Sequence, residues 1–210
     1  KIHPRLIEVM EFFLLTVKGE RKMKKMKTVF EMIYDKGKPQ MGDIRPESMW
    51  VFTEPNVKAT VKYDGTATAV INGEFYARLD AKNGRNIPVG AIPCEPEPDP
   101  ITGHWPHWVP VTAEPTFKWH MAAYNNTKYI HDATYEAIGP HFQGNPYKLD
   151  KDILIEHGTT VITDLPKPLT KESLEAYFHT HPAMEGIVFY GENGKMAKLR
   201  LKDYQMQPKY

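Results

Sequence analysis

The chain has 210 residues, 41% hydrophobic and 25% charged, with a net charge of +1. These values suit one soluble globular domain with a sizeable core, or one domain with a small appendage, and give no argument for polyanion binding through overall charge. The single cysteine, Cys94, excludes an internal disulfide framework and suits a reducing cytoplasm.

In chain order, "LIEVMEFFLL" is the longest apolar run, but Glu8 and Glu11 interrupt it and it is too short to span a bilayer. It also lacks a small-residue cleavage site for a signal peptide. Leu6, Ile7, Met10, Phe13 and Leu14 have helical spacing, and "KGERKMKKMK" follows them. Residues 1–25 are therefore expected to be a basic, amphipathic segment ahead of a domain at 26–210. A loosely patterned basic stretch runs to about Lys36.

"FTEPNVKATVKYDGTATAVINGEFYARLDA" reads as β structure, with apolar and β-branched residues alternating. Asp64-Gly65 and Asn72-Gly73 are its turn signals, and Asn72-Gly73 is the better hairpin turn. Residues 86–116 read as a proline-rich loop. Trp105 and Trp108 argue against disorder, and of two roles for the loop, a packed lid is favoured over an RNA-stacking platform. His104, His107 and Cys94 have zinc-like spacing, but the flanking prolines and tryptophans favour loop packing.

"NTKYIHDATYEAIGP" and "KDILIEHGTTVI" are two further strands, the first carrying Glu136. "TKESLEAYFHTH" is the clearest helix, with Thr170 as its N-cap and His179 and His181 at its end. "EGIVFYGENGKMAKLRLKDY" is a hairpin with a Glu-Asn-Gly turn. Its alternation puts Lys198, Arg200 and Lys202 on one face, and Ala197, Leu199 and Leu201 on the other. The fold class expected is α+β, mostly antiparallel, with few helices.

Lys62 has two readings. A lysine in a strand is ordinarily a solvated surface charge. A strand end followed by a glycine turn also fixes the backbone, and an amine held there among other cations and partly desolvated becomes a nucleophile. Its electrophile would be a phosphorus atom or a carbonyl. Three cations in register on the last strand would make a phosphate clamp.

The order Lys62-Tyr63-Asp64-Gly65, Arg78, Glu136, Glu185-Gly186-Ile187-Val188, Lys198-Leu199-Arg200 resembles the covalent nucleotidyltransferases: ATP-dependent RNA and DNA ligases and mRNA capping enzymes. The likeness covers roughly residues 50–205 and is nearest to the small RNA ligases. Lys62 to Gly65 match motif I, Glu136 motif III, and Glu185 with Gly186 motif IV. Lys198 and Arg200 match motif V, normally Lys-x-Lys. "DILIEHG" resembles motif IIIa, whose base-stacking position falls to His157 or a nearby Phe or Tyr. Arg200 in place of lysine keeps the charge but alters its hydrogen-bond geometry, so Lys202 is a reserve.

The resemblance implies an adenylation-domain fold without an oligonucleotide-binding barrel, since the chain stops soon after motif V. It implies ATP as substrate, an AMP carried on Lys62, Mg²⁺ or Mn²⁺ near Glu185 and Glu136, and RNA with 5′-phosphate and 3′-hydroxyl ends as partner. Lys62, Lys198 and Arg200 would act on the reacting phosphate. Asp64, Gly65, Arg78, Glu136, His157, Glu185 and Lys202 would complete the nucleotide site. The rival expectations are a DNA ligase-like or other AMP transferase core, and a nucleic-acid-binding module in which Lys62 is only a surface charge.

Overall fold

The computed structural model of the protein describes residues 26–36, 38–82 and 85–209, so the N-terminal segment expected to be helical lies outside them. The fold is α+β, with mostly antiparallel sheets and few helices. The elements in chain order are β1 (Phe30–Asp35), β2 (Lys38–Ile44), α1 (Trp50–Thr53), β3 (Lys58–Lys62), β4 (Thr66–Ile71) and β5 (Glu74–Lys82), then β6 (Ile92–Pro93), β7 (His104–Pro110), α2 (Lys118–Asn126), β8 (Ala133–Ile138), β9 (Ile153–Glu156), α3 (Lys171–Thr180), β10 (Gly186–Tyr190) and β11 (Met196–Arg200). By their contacts, the described residues form two compact units, Met26–Ala77 with Val111–Tyr210, and Arg78–Pro110.

In the larger unit, β10 lies between β3 and β11, antiparallel to both. The register puts Lys62, Gly186 and Arg200 side by side, and Thr60, Val188 and Lys198 side by side two residues along. Because side chains alternate, these two rows share one face. Ala59, Ile187, Phe189, Ala197 and Leu199 take the other face and are buried with Val29, Phe30, Trp50 and Leu201 in one core. One sheet thus separates an apolar core from a cationic face. Both its edges are covered: Val29 N–H donates to the Lys198 carbonyl, and Val61 N–H to that of Thr160.

Helix α3 closes this core with Leu174, Tyr177 and Phe178, at the i, i+3, i+4 spacing of one helical face. Burial of each such side chain stabilises the fold by roughly 1.5–3 kcal/mol. The helix begins as the sequence indicates. Thr170 Oγ1 accepts from Ser173 N–H at 3.0 Å, and Ser173 Oγ accepts from Thr170 N–H at 2.8 Å.

The second sheet of this unit runs β5–β4–β8–β9. Its core holds Val70, Phe75, Tyr135, Ala137, Phe142 and Leu154, with Ala123 of α2. Asn72 and Gly73 have φ of 53° and 77° and join β4 to β5, and their N–H groups donate to the Asp132 carboxylate at 2.7 and 2.8 Å. Asp64-Gly65 is therefore not a hairpin turn: it carries the chain from the first sheet to the second.

In the smaller unit β6 pairs with β7 around buried Cys94 and Trp108. The proline-rich loop expectation is corrected here, because His104–Pro110 is a strand. Its prolines lack donors but still accept, as Pro106 does from Cys94 N–H at 2.9 Å. His104 Nδ1 pairs with Asp80, and His107 Nδ1 meets the Trp105 carbonyl at 2.8 Å, so the histidines with zinc-like spacing are held by separate partners. Among the described residues, no helix is long and apolar enough to cross a membrane.

Candidate active site

Lys62 is the last residue of β3. Its Nζ lies 2.5 Å from Glu185 Oε2, and the two side chains are 24% and 13% exposed. Between Lys62 and Arg200 stands Gly186, which has no side chain. A Cβ there would come within 2.4 Å of the Leu199 carbonyl oxygen, so only glycine lets these strands meet this closely. Gly186 itself therefore puts no side chain between Lys62 and Arg200 in that row.

Lys198 and Arg200 complete that face. Burial, with help from Arg200 and Lys62, lowers the Lys198 pKa to about 8. Arg200 is held by a residue the sequence reading missed. Asp203, 2% exposed, accepts from Arg200 Nη2 at 2.7 Å and Nε at 3.1 Å, and from its backbone N–H at 2.9 Å. This bidentate pairing fixes the guanidinium plane. The only signal for it was the i, i+3 spacing in "RLKD". Lys202 is corrected: the chain leaves the strand after Arg200 into a 3₁₀ turn, Leu201–Tyr204, with Leu201 N–H donating to the Glu185 carbonyl at 2.9 Å. Lys202 is exposed on that turn, so the alternating row ends at Arg200.

Glu185 is mostly buried, and burial pushes its carboxyl pKa up, against the pull of Lys62. The charges of Asp64 and Glu136 push it the same way, so these three carboxylates share one neighbourhood. Gly65 is pressed against that neighbourhood. A Cβ on it would lie 2.3 Å from the Ala137 carbonyl oxygen and 2.9 Å from Glu136 Cγ. The Asp64 N–H donates to the Tyr147 hydroxyl at 2.6 Å, and the Tyr63 and Tyr147 rings meet edge to face at 5.3 Å. Tyr147 is a second residue that the sequence did not single out.

Glu136, on β8, accepts from His157 Nε2 at 2.9 Å, and His157 Nδ1 meets Thr134 Oγ1 at 2.9 Å. Arg78 is exposed on β5 and is assigned to the smaller unit rather than to this cluster. The structure thus gathers Lys62, Asp64, Gly65, Glu136, His157, Glu185, Lys198 and Arg200 into one unit, as two cationic rows facing a carboxylate group.

The donor set fits a hard divalent cation. The charges of Asp64 and Glu136 add to the rise of the Glu185 pKa, and a cation would relieve that repulsion. Among the described residues no three His, Cys, Asp or Glu side chains form a metal cage. Mg²⁺ needs none, since it is commonly held by one or two carboxylates together with substrate phosphates and water. No protein-family model and no curated protein matches the chain. What the geometry can do chemically is hold an anion beside a paired, partly desolvated amine.

Proposed function

We propose that the protein is an ATP-dependent RNA ligase that works through a lysyl-AMP intermediate on Lys62, within an adenylation-domain fold. The observation that carries the reading is the row Lys62–Gly186–Arg200, with Lys198 two residues along on the same face. A surface-charge role for Lys62 gives no reason for its 2.5 Å pairing with a mostly buried glutamate.

In the first step the Lys62 amine gives its proton to Glu185, whose raised pKa suits it to receive one. The freed nitrogen attacks the α-phosphorus of ATP. A phosphorus–nitrogen bond forms, the bond to the bridging oxygen breaks, and pyrophosphate leaves. Negative charge grows on the non-bridging oxygens, where Lys198 and Arg200 stand ready, with Arg200 oriented in advance by Asp203. In the second step a 5′-phosphate oxygen of RNA takes the AMP and Lys62 is released. In the third a 3′-hydroxyl attacks that phosphate, AMP leaves, and the phosphodiester is made. Glu136 would contact the ribose hydroxyls of the nucleotide. Mg²⁺ or Mn²⁺, held by Glu136 and, while it is ionised, by Glu185, would neutralise phosphate charge. The single, buried Cys94 suits a cytoplasmic setting.

The test is incubation with α-labelled ATP and Mg²⁺, denaturation, and a search for acid-labile label on the protein. The reading requires label on the wild type and its loss in Lys62→Ala. Nicked RNA, nicked DNA and single-stranded 5′-phosphorylated RNA as acceptors then separate an RNA ligase from a DNA ligase core or an AMP transferase of another kind. Sealing of DNA alone would overturn the RNA assignment.

A further inference from the structure

The contacts of His157 set it apart from a base-stacking residue. It follows β9 directly, and its backbone N–H donates to the Thr134 carbonyl at 3.0 Å. Both ring nitrogens are engaged with β8: Nε2 lies 2.9 Å from Glu136 Oε2 and Nδ1 lies 2.9 Å from Thr134 Oγ1. Thr134 and Glu136 are two apart on one strand, so their side chains point the same way and the ring bridges them. The ring is 27% exposed and the Glu136 side chain 14%.

The hydrogen-bond inventory requires a proton on Nε2. An ionised carboxylate only accepts, so Nε2 must carry the proton. When the ring is neutral, Nδ1 is then the acceptor, and a hydroxyl is a suitable donor to it. Thr134 thus sets the tautomer and His157 sets the carboxylate. Gly65 packs on the other side, where a Cβ would lie 2.9 Å from Glu136 Cγ. The Glu136 carboxylate is held from two directions.

We infer that His157 is a positioning residue: its Nε2–H fixes the Glu136 carboxylate in the site, and Thr134 holds the ring in the tautomer that allows it. The inference rests on the proposed nucleotidyl transfer for its functional consequence, but not for its geometry. A residue that acts through its ring face and one that acts through a single N–H respond oppositely to two substitutions. Phenylalanine keeps an aromatic face and removes the donor. Glutamine removes the face and places an amide N–H near the position of Nε2.

The experiment measures lysyl-AMP formation by wild type, His157→Phe and His157→Gln, with thermal melting to confirm that each is folded. Positioning predicts that His157→Phe loses about tenfold or more in kcat/KM for ATP, as expected for one hydrogen bond to a charged group. His157→Gln then recovers most of that loss. The reverse order, Phe active and Gln impaired, would show a stacking role and overturn the inference. A second measurement needs no activity: ¹⁵N–¹H correlation of labelled histidine rings. It should show the His157 proton on Nε2, and a tautomer mixture in Thr134→Val. A proton on Nδ1 in the wild type overturns the inference even if the enzyme is active. Absence of any adduct on the wild type overturns the ligase reading, and the ring measurement then decides the His157–Glu136 contact alone.

Discussion

Gly65→Ala is the sharpest test of how the Lys62 turn is built. The added Cβ would lie 2.3 Å from the Ala137 carbonyl oxygen and 2.8 Å from Ile138 Cγ2. Carbon-to-oxygen contacts settle near 3.3 Å, so one side must move by about 1 Å. Ala137 cannot supply the movement: it is 0% exposed and paired with Thr66 on one side and Leu154 on the other. The turn has to shift, and Lys62 stands three residues away on the same chain. Overpacking of this kind costs roughly 1–3 kcal/mol of stability. A misplacement of about 1 Å at a reacting group costs on the order of a hundredfold in rate. The assay is the single-turnover rate of labelled adduct formation, read beside the melting temperature. Gly73→Ala is the control: its φ is +77°, and nothing lies within 4 Å of the new Cβ. It should lose stability by about 1 kcal/mol through backbone strain alone and keep its adduct rate. Gly65→Ala that remains folded and forms adduct at the wild-type rate would refute the claim that this close approach aims Lys62.

Other expectations concern the cationic face and the core. Asp203→Asn keeps the shape but removes the charge that holds Arg200, so adduct formation should fall by about tenfold, and KM for ATP should rise in steady-state assays. Lys198, with its pKa lowered to about 8, loses its charge as pH climbs through that value. Adduct formation should therefore decline above pH 8, and Lys198→Arg should move that limb upward in a pH–rate profile. The sign for stability is opposite. A lysine pKa depressed by folding costs stability while both states are protonated, and the cost is relieved between about 8 and the ordinary lysine value of 10.5. Leu174→Ala removes a fully buried side chain of α3 and should cost about 2–5 kcal/mol in a denaturant titration, whatever the function.

Much of this arrangement was legible in the letters, for identifiable physical reasons. Asn72-Gly73 between alternating runs can do little but form a tight hairpin turn, and Thr170 ahead of an apolar helical face marks a helix start. The alternation in "KMAKLR" put Lys198 and Arg200 on one face before any register was known. It failed at Lys202, because nothing in the spacing shows that the chain turns into a 3₁₀ helix over Leu201–Tyr204. Strand β1 was read only as part of a loose basic stretch ending at about Lys36, and β2 beyond it was not recognised. Helix α2 has no side-chain cap at Phe117, and its apolar residues form no clean stripe. The strand β7 was hidden by prolines, which forbid donation but not acceptance. Within the site, Asp203, Tyr147 and Thr134 were missed for one reason: each acts by holding another residue. The Tyr147 hydroxyl reaches an N–H 83 positions away in the chain, and local sequence carries no trace of such a partnership.

The central claim is that Lys62 becomes covalently bonded to AMP. The most direct measurement is mass spectrometry of the protein after incubation with ATP and Mg²⁺, first intact and then as peptides. The account predicts one added AMP, carried by the peptide containing Lys62, discharged when pyrophosphate is supplied, and absent from Lys62→Ala. An unmodified protein, or AMP found on any other residue, would contradict it.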